Sequence, residues 1–412
     1  MFLRHAEVLA PFLAVGRDFR YIEASRSATI TNAPPVHKTS LKGLSLEELR
    51  EFAQSLGERP YRGDQLFSWI YTKGAMSFSE MTSLSRESRA LLAERAQLEV
   101  LERVIERLSA DGTTKVLFRL PDGLQIESVL IPPDAASPGA ERRLTVCIST
   151  QVGCPLDCKF CATGTMGFLR NLTPGEIVDQ VLQLQQSAGR RITNVVYMGM
   201  GEPLLNYDSV VKSARLLTSD QAIAIGARHV TISTAGIPEG ILRLAQDPLK
   251  VKLALSLHSL DDSKRVQIMP ITKKYPVEGL LAALDQYYRA TRRRPTFEYI
   301  VFRGFNDTEK DVALLARAGK RIPCKINLIP YHSIAFAHPQ GLGLSLEAAS
   351  RSEIERFADA LRKHNLTVMI RSSSGEDIEA ACGQLAVREG ADKGRRRGGL
   401  QPSPEPPAAT VP

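Results

Sequence analysis

Thr145-Val-Cys147-Ile-Ser-Thr-Gln-Val-Gly-Cys154-Pro-Leu-Asp-Cys158-Lys-Phe-Cys161 passes from an apolar, β-branched stretch into a loop with three thiols in eight residues. The stretch reads as a strand and the loop as its exit. Three thiolates so close can face one metal centre, but they leave it one ligand short, because iron–sulfur cubes held by protein alone use four cysteines. One iron would then keep an open position where a substrate can coordinate. C-x3-C-x2-C is also not a ferredoxin spacing. A zinc ion completed by a remote Cys or His is the competing reading of these residues alone.

Outward from this strand, the chain alternates strand and helix patterns. Strands are expected at 144–149, 194–198, 229–234, 252–257, 296–302, 325–329 and 367–370, several of them near-continuous apolar runs suited to burial on both faces. Thr173-Pro174-Gly-Glu176 opens the first helix with a cap, a proline at N1 and a glutamate at N3. The class is α/β, with a parallel sheet wrapped by helices. A partial (β/α)6-type barrel is favoured over an open sheet, because chemistry-bearing residues recur at strand C-termini. Met198-Gly-Met-Gly201-Glu202-Pro203 follows the second strand. Its glycines let a ligand approach the backbone, and its carboxylate can bind an ammonium group. Ser233 lies near the end of the third strand, and Ser256-Leu257-His258 closes the fourth.

The barrel pattern is expected over 144–386, after a small helical domain at 38–100 and a β-hairpin extension at 101–143. Ser45-x-x-Glu48 is a capping box with Leu44 and Leu49 as its staple, and the helix it opens runs to Gly57. A second helix over 62–71 carries Leu66, Trp69 and Ile70 on one face, and Arg59, Arg62 and Lys73 on or beside it read equally as a phosphate-binding or a solvated face. Two alternating strands within 114–131 join at Pro121-Asp122-Gly123. Residues 1–37 read as a loosely ordered leader. Residues 387–412, with Arg395-Arg396-Arg397 and many prolines, read as a disordered tail.

At 412 residues and 43% hydrophobic content, the chain can bury one large core and a smaller unit. A net charge of +8 points to a polyanionic partner. Six cysteines in so long a chain do not make a secreted disulfide scaffold, and their clustering suits a reducing compartment, the cytoplasm. No apolar run reaches membrane-spanning length.

The cysteine loop, the glycine–glutamate pair and the polar strand ends resemble the radical S-adenosylmethionine (SAM) superfamily, which implies a [4Fe–4S] cluster and SAM. Three blocks in order, residues 145–154, Tyr197–Pro203 and Asp377-Ile-Glu-Ala-Ala-Cys382-Gly-Gln-Leu385, are similar to the RNA adenine-C methyltransferases of the RlmN/Cfr family. The resemblance implies that Cys154, Cys158 and Cys161 hold the cluster. It implies SAM contacts by Gly201, Glu202, Ser233, Ser256, Leu257, His258 and His332. Adenine C2 and C8 are electron-poor carbons that do not attack a sulfonium. The family's route implies instead that Cys382 takes a methyl group from one SAM, and that a radical from a second SAM activates it. Glu127 then accepts the ring proton, and Cys147 frees the product through a transient disulfide with Cys382. The implied substrates are adenosines in the peptidyl-transferase region of 23S rRNA and 3′ of the tRNA anticodon, methylated at C2. An electron donor such as flavodoxin and a monomeric state are also implied. Many C2 members carry asparagine where His332 stands and arginine where Ser374 stands, so C8 methylation is the first alternative. A non-catalytic, zinc-containing RNA-binding protein is the second. Cys324, outside every block, reads as a core residue.

Overall fold

Residues 38–133, 143–334, 345–371 and 374–378 are described by the structure, a computed structural model. The leader, the tail and Cys382 lie outside the described residues. β1 (Thr39–Ser40) pairs in parallel with β2 (Ala96–Gln97), so the helical segment between them begins and ends at one place. Within it, Ser45 and Glu48 form the capping box of α1 (Leu46–Ser55). α2 (Tyr61–Phe67) continues into a π-helical turn over Ser68–Thr72, and α3 (Arg86–Arg95) follows.

β3 (Glu102–Leu108), β4 (Thr114–Arg119) and β5 (Gln125–Ile131) form an antiparallel meander. The extension is therefore three-stranded: the expected hairpin is β4 and β5, and β3 adds a strand on its outer side. β6 (Thr145–Cys147) joins this meander to the parallel strands. β7 (Gln151–Gly153) and β8 (Phe168–Asn171) make a separate ribbon around the cysteine loop, which thus leaves β7 and not the barrel strand itself. The remaining strands are β9 (Asn194–Tyr197), β10 (Val230–Thr234), β11 (Lys252–Ser256), β12 (Thr296–Val301), β13 (Lys325–Pro330) and β14 (Thr367–Ile370). The full order is β14-β13-β12-β11-β10-β9-β6-β5-β4-β3, with seven consecutive parallel strands from β6 to β14. Helices α4 (Pro174–Ala188), α5 (Tyr207–Thr218), α6 (Pro238–Gln246), α7 (Asp262–Ile268), α8 (Val277–Thr291), α9 (Glu309–Arg321) and α10 (Arg351–Arg362) connect them.

Strand register decides which side chains share a face. Cys147 pairs with Val196, Val196 with Thr231, Ser233 with Ala254, Ser256 with Glu298, and Glu298 with Asn327. Cys147, Ser233, Ser256, Glu298 and Asn327 therefore lie on one face. The other face carries Val146, Tyr197, Ile232, Leu255, Tyr299 and Leu328, all buried. Helices cover it: the Tyr197 hydroxyl is 2.8 Å from that of Ser213 on α5, and Tyr299 stacks on Phe357 of α10 at 5.8 Å. The polar face is the barrel interior. Arg371, after β14, reaches Met198, after β9, at 3.8 Å across the mouth, which is possible only because the intervening strands curve.

Candidate active site

Gly153 ends β7 at φ +73°, and a Cβ there would lie 1.8 Å from the Gly167 carbonyl oxygen. This backbone crossing closes the base of the cysteine loop, and the Cys154 N–H donates to that same carbonyl at 2.8 Å. The loop then turns so that the Cys161 N–H donates to Cys158 O at 3.1 Å, and Lys159 N–H to Ile268 O of α7 at 2.9 Å. Cys154 and Cys158 pack against an apolar cluster of Leu156, Ala235, Ile268, Met269, Phe302 and Tyr331. Burial pushes the Cys154 thiol up to about 12. Cys158 is raised well above its ordinary value, by burial first and then by Cys161 and Cys154. Thiols so placed ionise when a cationic group joins them, which fits an iron–sulfur cluster. Among the described residues, no three His, Cys, Asp or Glu side chains converge on a single-ion site. Three clustered thiols short of a fourth protein ligand suit a cube that keeps one iron open.

Glu202 lies beside this loop and is buried. Its Oε1 accepts from Leu204 N–H at 2.9 Å and its Oε2 from Ala235 N–H at 2.7 Å, leaving further lone pairs on each oxygen. Burial raises this carboxyl to about 7, against the hydrogen bonds that lower it. Gly201, at φ +98°, lets its backbone pass over Gln151, whose Oε1 accepts from Glu202 N–H at 2.8 Å.

Ser233 and Ser256 face the interior from β10 and β11, and the chain leaves β11 through buried Leu257 and His258. His258 adopts φ +54° and its Nδ1 accepts from Ile300 N–H at 3.0 Å. A backbone N–H can only donate, so the ring proton belongs on Nε2. Burial, then the Arg265 charge, lowers this imidazole to about 3, which keeps it neutral. Arg265 is fully buried on α7. It donates to the carbonyls of Leu257 (3.0 Å), Ala235 (2.6 Å) and Ser256 (3.2 Å) and to the Thr272 hydroxyl (2.8 Å). One guanidinium thus fixes the exits of β10 and β11. His332 lies exposed just beyond β13, next to Tyr331.

Glu127 pairs in register with Leu117, and Val129, two residues on, pairs with Cys147. Glu127 and Cys147 are therefore same-face diagonal neighbours, a relation that spaces residues about 7–8 Å apart. Glu127 is buried with the Lys115 ammonium 3.3 Å from its Oε1. Gly375 and Asp377 dock on the β3–β4 turn: Gly375 N–H donates to Asp111 at 2.8 Å, and Asp377 accepts from the Ser109 hydroxyl at 2.5 Å. Burial works to raise the Asp111 carboxyl, but hydrogen bonds from Thr113 and Gly375 hold it at about 2. Residues 375–377 are thereby tied to the antiparallel meander whose third strand carries Glu127.

Sequence reading missed Glu298, Asn327, Arg371 and Arg265. The first two are single polar residues inside apolar strands, and their period-two alignment with Ser256 was the available signal. Arg293 and Arg294 bond the carbonyls of Leu249, Val251 and Cys324 at the N-terminal ends of strands, away from the mouth. Cys324 is buried, as expected of a core residue, and burial raises its thiol to about 12.

Comparison with known proteins agrees with this geometry. Residues 148–316 match the radical SAM superfamily, and residues 39–98 match the ribosomal RNA large subunit methyltransferase N-terminal domain. The "Probable dual-specificity RNA methyltransferase RlmN" of Thermotoga neapolitana is 47% identical over 350 residues, covering 85% of this chain and 98% of that protein. Its counterpart in Salinibacter ruber is 42% identical over 373 residues, covering 89% and 99%. The crystal structure of a radical SAM methyltransferase from Sphaerobacter thermophilus superposes with a TM-score of 0.77 at 41% identity, covering 84% of this chain and 98% of that one. These matches remove the non-catalytic zinc reading. The chain belongs to the RlmN family of radical SAM RNA methyltransferases, enzymes that work with a [4Fe–4S] cluster and SAM.

Proposed function

We propose that this enzyme methylates C2 of adenosine in 23S rRNA and in tRNA, with Cys382 as methyl carrier. The observation that carries the reading is the shared inner face, from which Cys147, Glu127, Ser233 and Ser256 all look toward the barrel interior. Cys154, Cys158 and Cys161 would hold the cluster. Glu202 would bind the SAM ammonium, with Gly201, Ser233, Ser256, Leu257, His258 and His332 around the rest. When bound, cluster and SAM supply a carbon radical able to take hydrogen from an unactivated methyl group.

The chain's own residues do the remainder. Cys382, as thiolate, takes the methyl group of one SAM, which leaves as S-adenosylhomocysteine, and presents it to the adenine ring. Lys115 fixes the Glu127 carboxylate, which takes the ring proton. Cys147 attacks the Cys382 sulfur, so the two form a disulfide as the methylated base departs, and a reducing cytoplasm restores both thiols. The segment 38–100 and the net charge of +8 grip RNA phosphates, while the 144–386 barrel receives an unstacked base beside the 101–143 extension. A monomer served by a small electron carrier such as flavodoxin completes the reading.

Nucleoside mass spectrometry after incubation with rRNA and tRNA tests it. We expect 2-methyladenosine; 8-methyladenosine would move the chain to the C8 reaction, and neither product would refute the proposal. Cys147→Ala should trap RNA covalently on the protein, and Cys382→Ala should give no adduct and no product.

A further inference from the structure

One polar cluster on the inner face is assigned by no motif. Glu298 sits on β12, in register with Ser256 on one side and Asn327 on the other. Asn327 Nδ2 donates to its Oε1 at 2.9 Å. Its Oε2 is buried and, among the described residues, accepts no hydrogen bond. Arg371 Nη1 stands 3.7 Å from Oε2, close enough for charge attraction and too far for a hydrogen bond. A buried carboxylate oxygen without a donor is rare in a native fold and points to a partner that arrives from outside.

The shape of that partner follows from the groups present. Arg371 is partly open to solvent and touches Met198 Sδ at 3.8 Å, so a donor, a vacant acceptor and an apolar flank stand together at the barrel mouth. A lone ammonium ligand would be repelled by Arg371, and an anion by Glu298. The complement is an N–H donor beside a ring-nitrogen acceptor, the arrangement on the amino-substituted edge of adenine.

We propose that Glu298, with Asn327 and Arg371, is a recognition site for that edge: Glu298 Oε2 accepts from the exocyclic amine and Arg371 donates to the adjoining ring nitrogen. Asn327 holds Glu298 in place. The inference rests on the adenine-methylating function proposed above, which brings adenine to this barrel from two sources, the target nucleotide and SAM.

Glu298→Gln tests it, because the amide keeps the acceptor that Asn327 uses and replaces Oε2 with a donor. Cluster-loaded enzyme is titrated with an anticodon stem-loop RNA carrying adenosine or purine riboside at the target. It is titrated separately with SAM and its analogue lacking the 6-amino group. Wild type should prefer the amine-bearing form of one ligand by about tenfold, the value of one hydrogen bond to a charged group. Glu298→Gln should abolish that preference while iron content and melting temperature hold. Loss on the RNA arm assigns the site to the target base, and loss on the SAM arm assigns it to the cosubstrate. A folded variant that keeps both preferences overturns the inference. If the variant does not fold, the wild-type titrations decide, and indifference to the amine on both ligands overturns it. Wild type that methylates RNA alongside such indifference leaves the proposed function standing, whereas wild type that yields no methylated adenosine removes that function.

Discussion

A methyl group on Gly153 would have to occupy space 1.8 Å from the Gly167 oxygen. The positive φ alone costs an L-residue roughly 1–2 kcal/mol, and the clash adds to it. Gly153→Ala should therefore open the base of the cysteine loop, read as lowered iron per chain after reconstitution and a lower melting temperature. Glu202 carries a pH prediction. Its carboxyl, raised to about 7 by burial, holds a proton below that pH in the ligand-free protein. An ammonium ligand prefers the ionised form, so SAM binding releases that proton. Affinity should fall about tenfold per pH unit below 7 and level off above it. Calorimetric titrations from acid to mildly alkaline pH should show this slope in wild type and a flat, weaker profile in Glu202→Gln.

Among the elements, α4 concentrates several duties on one side chain. Glu176 reciprocates the Thr173 cap and also makes a bidentate pair with Arg170 of β8, at 2.8 and 2.9 Å. Glu176→Ala should cost about 2–3 kcal/mol in chemical denaturation, because a cap and a charge-assisted pair go together. The cap was legible in sequence, since its signal lies within four residues; the Arg170 partnership was not, since it depends on how the ribbon folds back. The same divide runs through the fold. Seven parallel strands were legible, several of them as near-continuous apolar runs, because a strand buried on both faces has no competing pattern of that length. β3 escaped notice because Glu102-Arg-Val-Ile-Glu-Arg-Leu108 is mostly charged and reads as a solvated segment. At the site, the thiol loop and the Gly201–Glu202 pair were legible because their chemistry is local. Arg265 was not, because an arginine on a short helix gives no sign that three strand-end carbonyls will enclose it.

For the molecule as a whole, the contact between the N-terminal helical segment and the barrel turns on a buried ion pair. Lys42 and Asp179 are both inaccessible to solvent and bond directly, and Asp179 also accepts from Leu101 N–H at 3.0 Å and from Gln183 at 3.0 Å. Removing one partner strands a charge in the interior, so Lys42→Met should cost about 3–5 kcal/mol. Adding Asp179→Asn should recover much of it, since the amide still accepts from Leu101 without a net charge. Denaturation of the two variants against wild type checks both statements.

The ten-stranded sheet also ends, among the described residues, at β3, whose outer edge has no neighbouring strand. A bare edge invites another polypeptide to add itself, the first step toward fibrils. Glu102, Arg103, Glu106 and Arg107 stud this one with charges of both signs. An incoming backbone would have to strip water from them, so the residues that hid β3 as a strand also guard the protein against self-association.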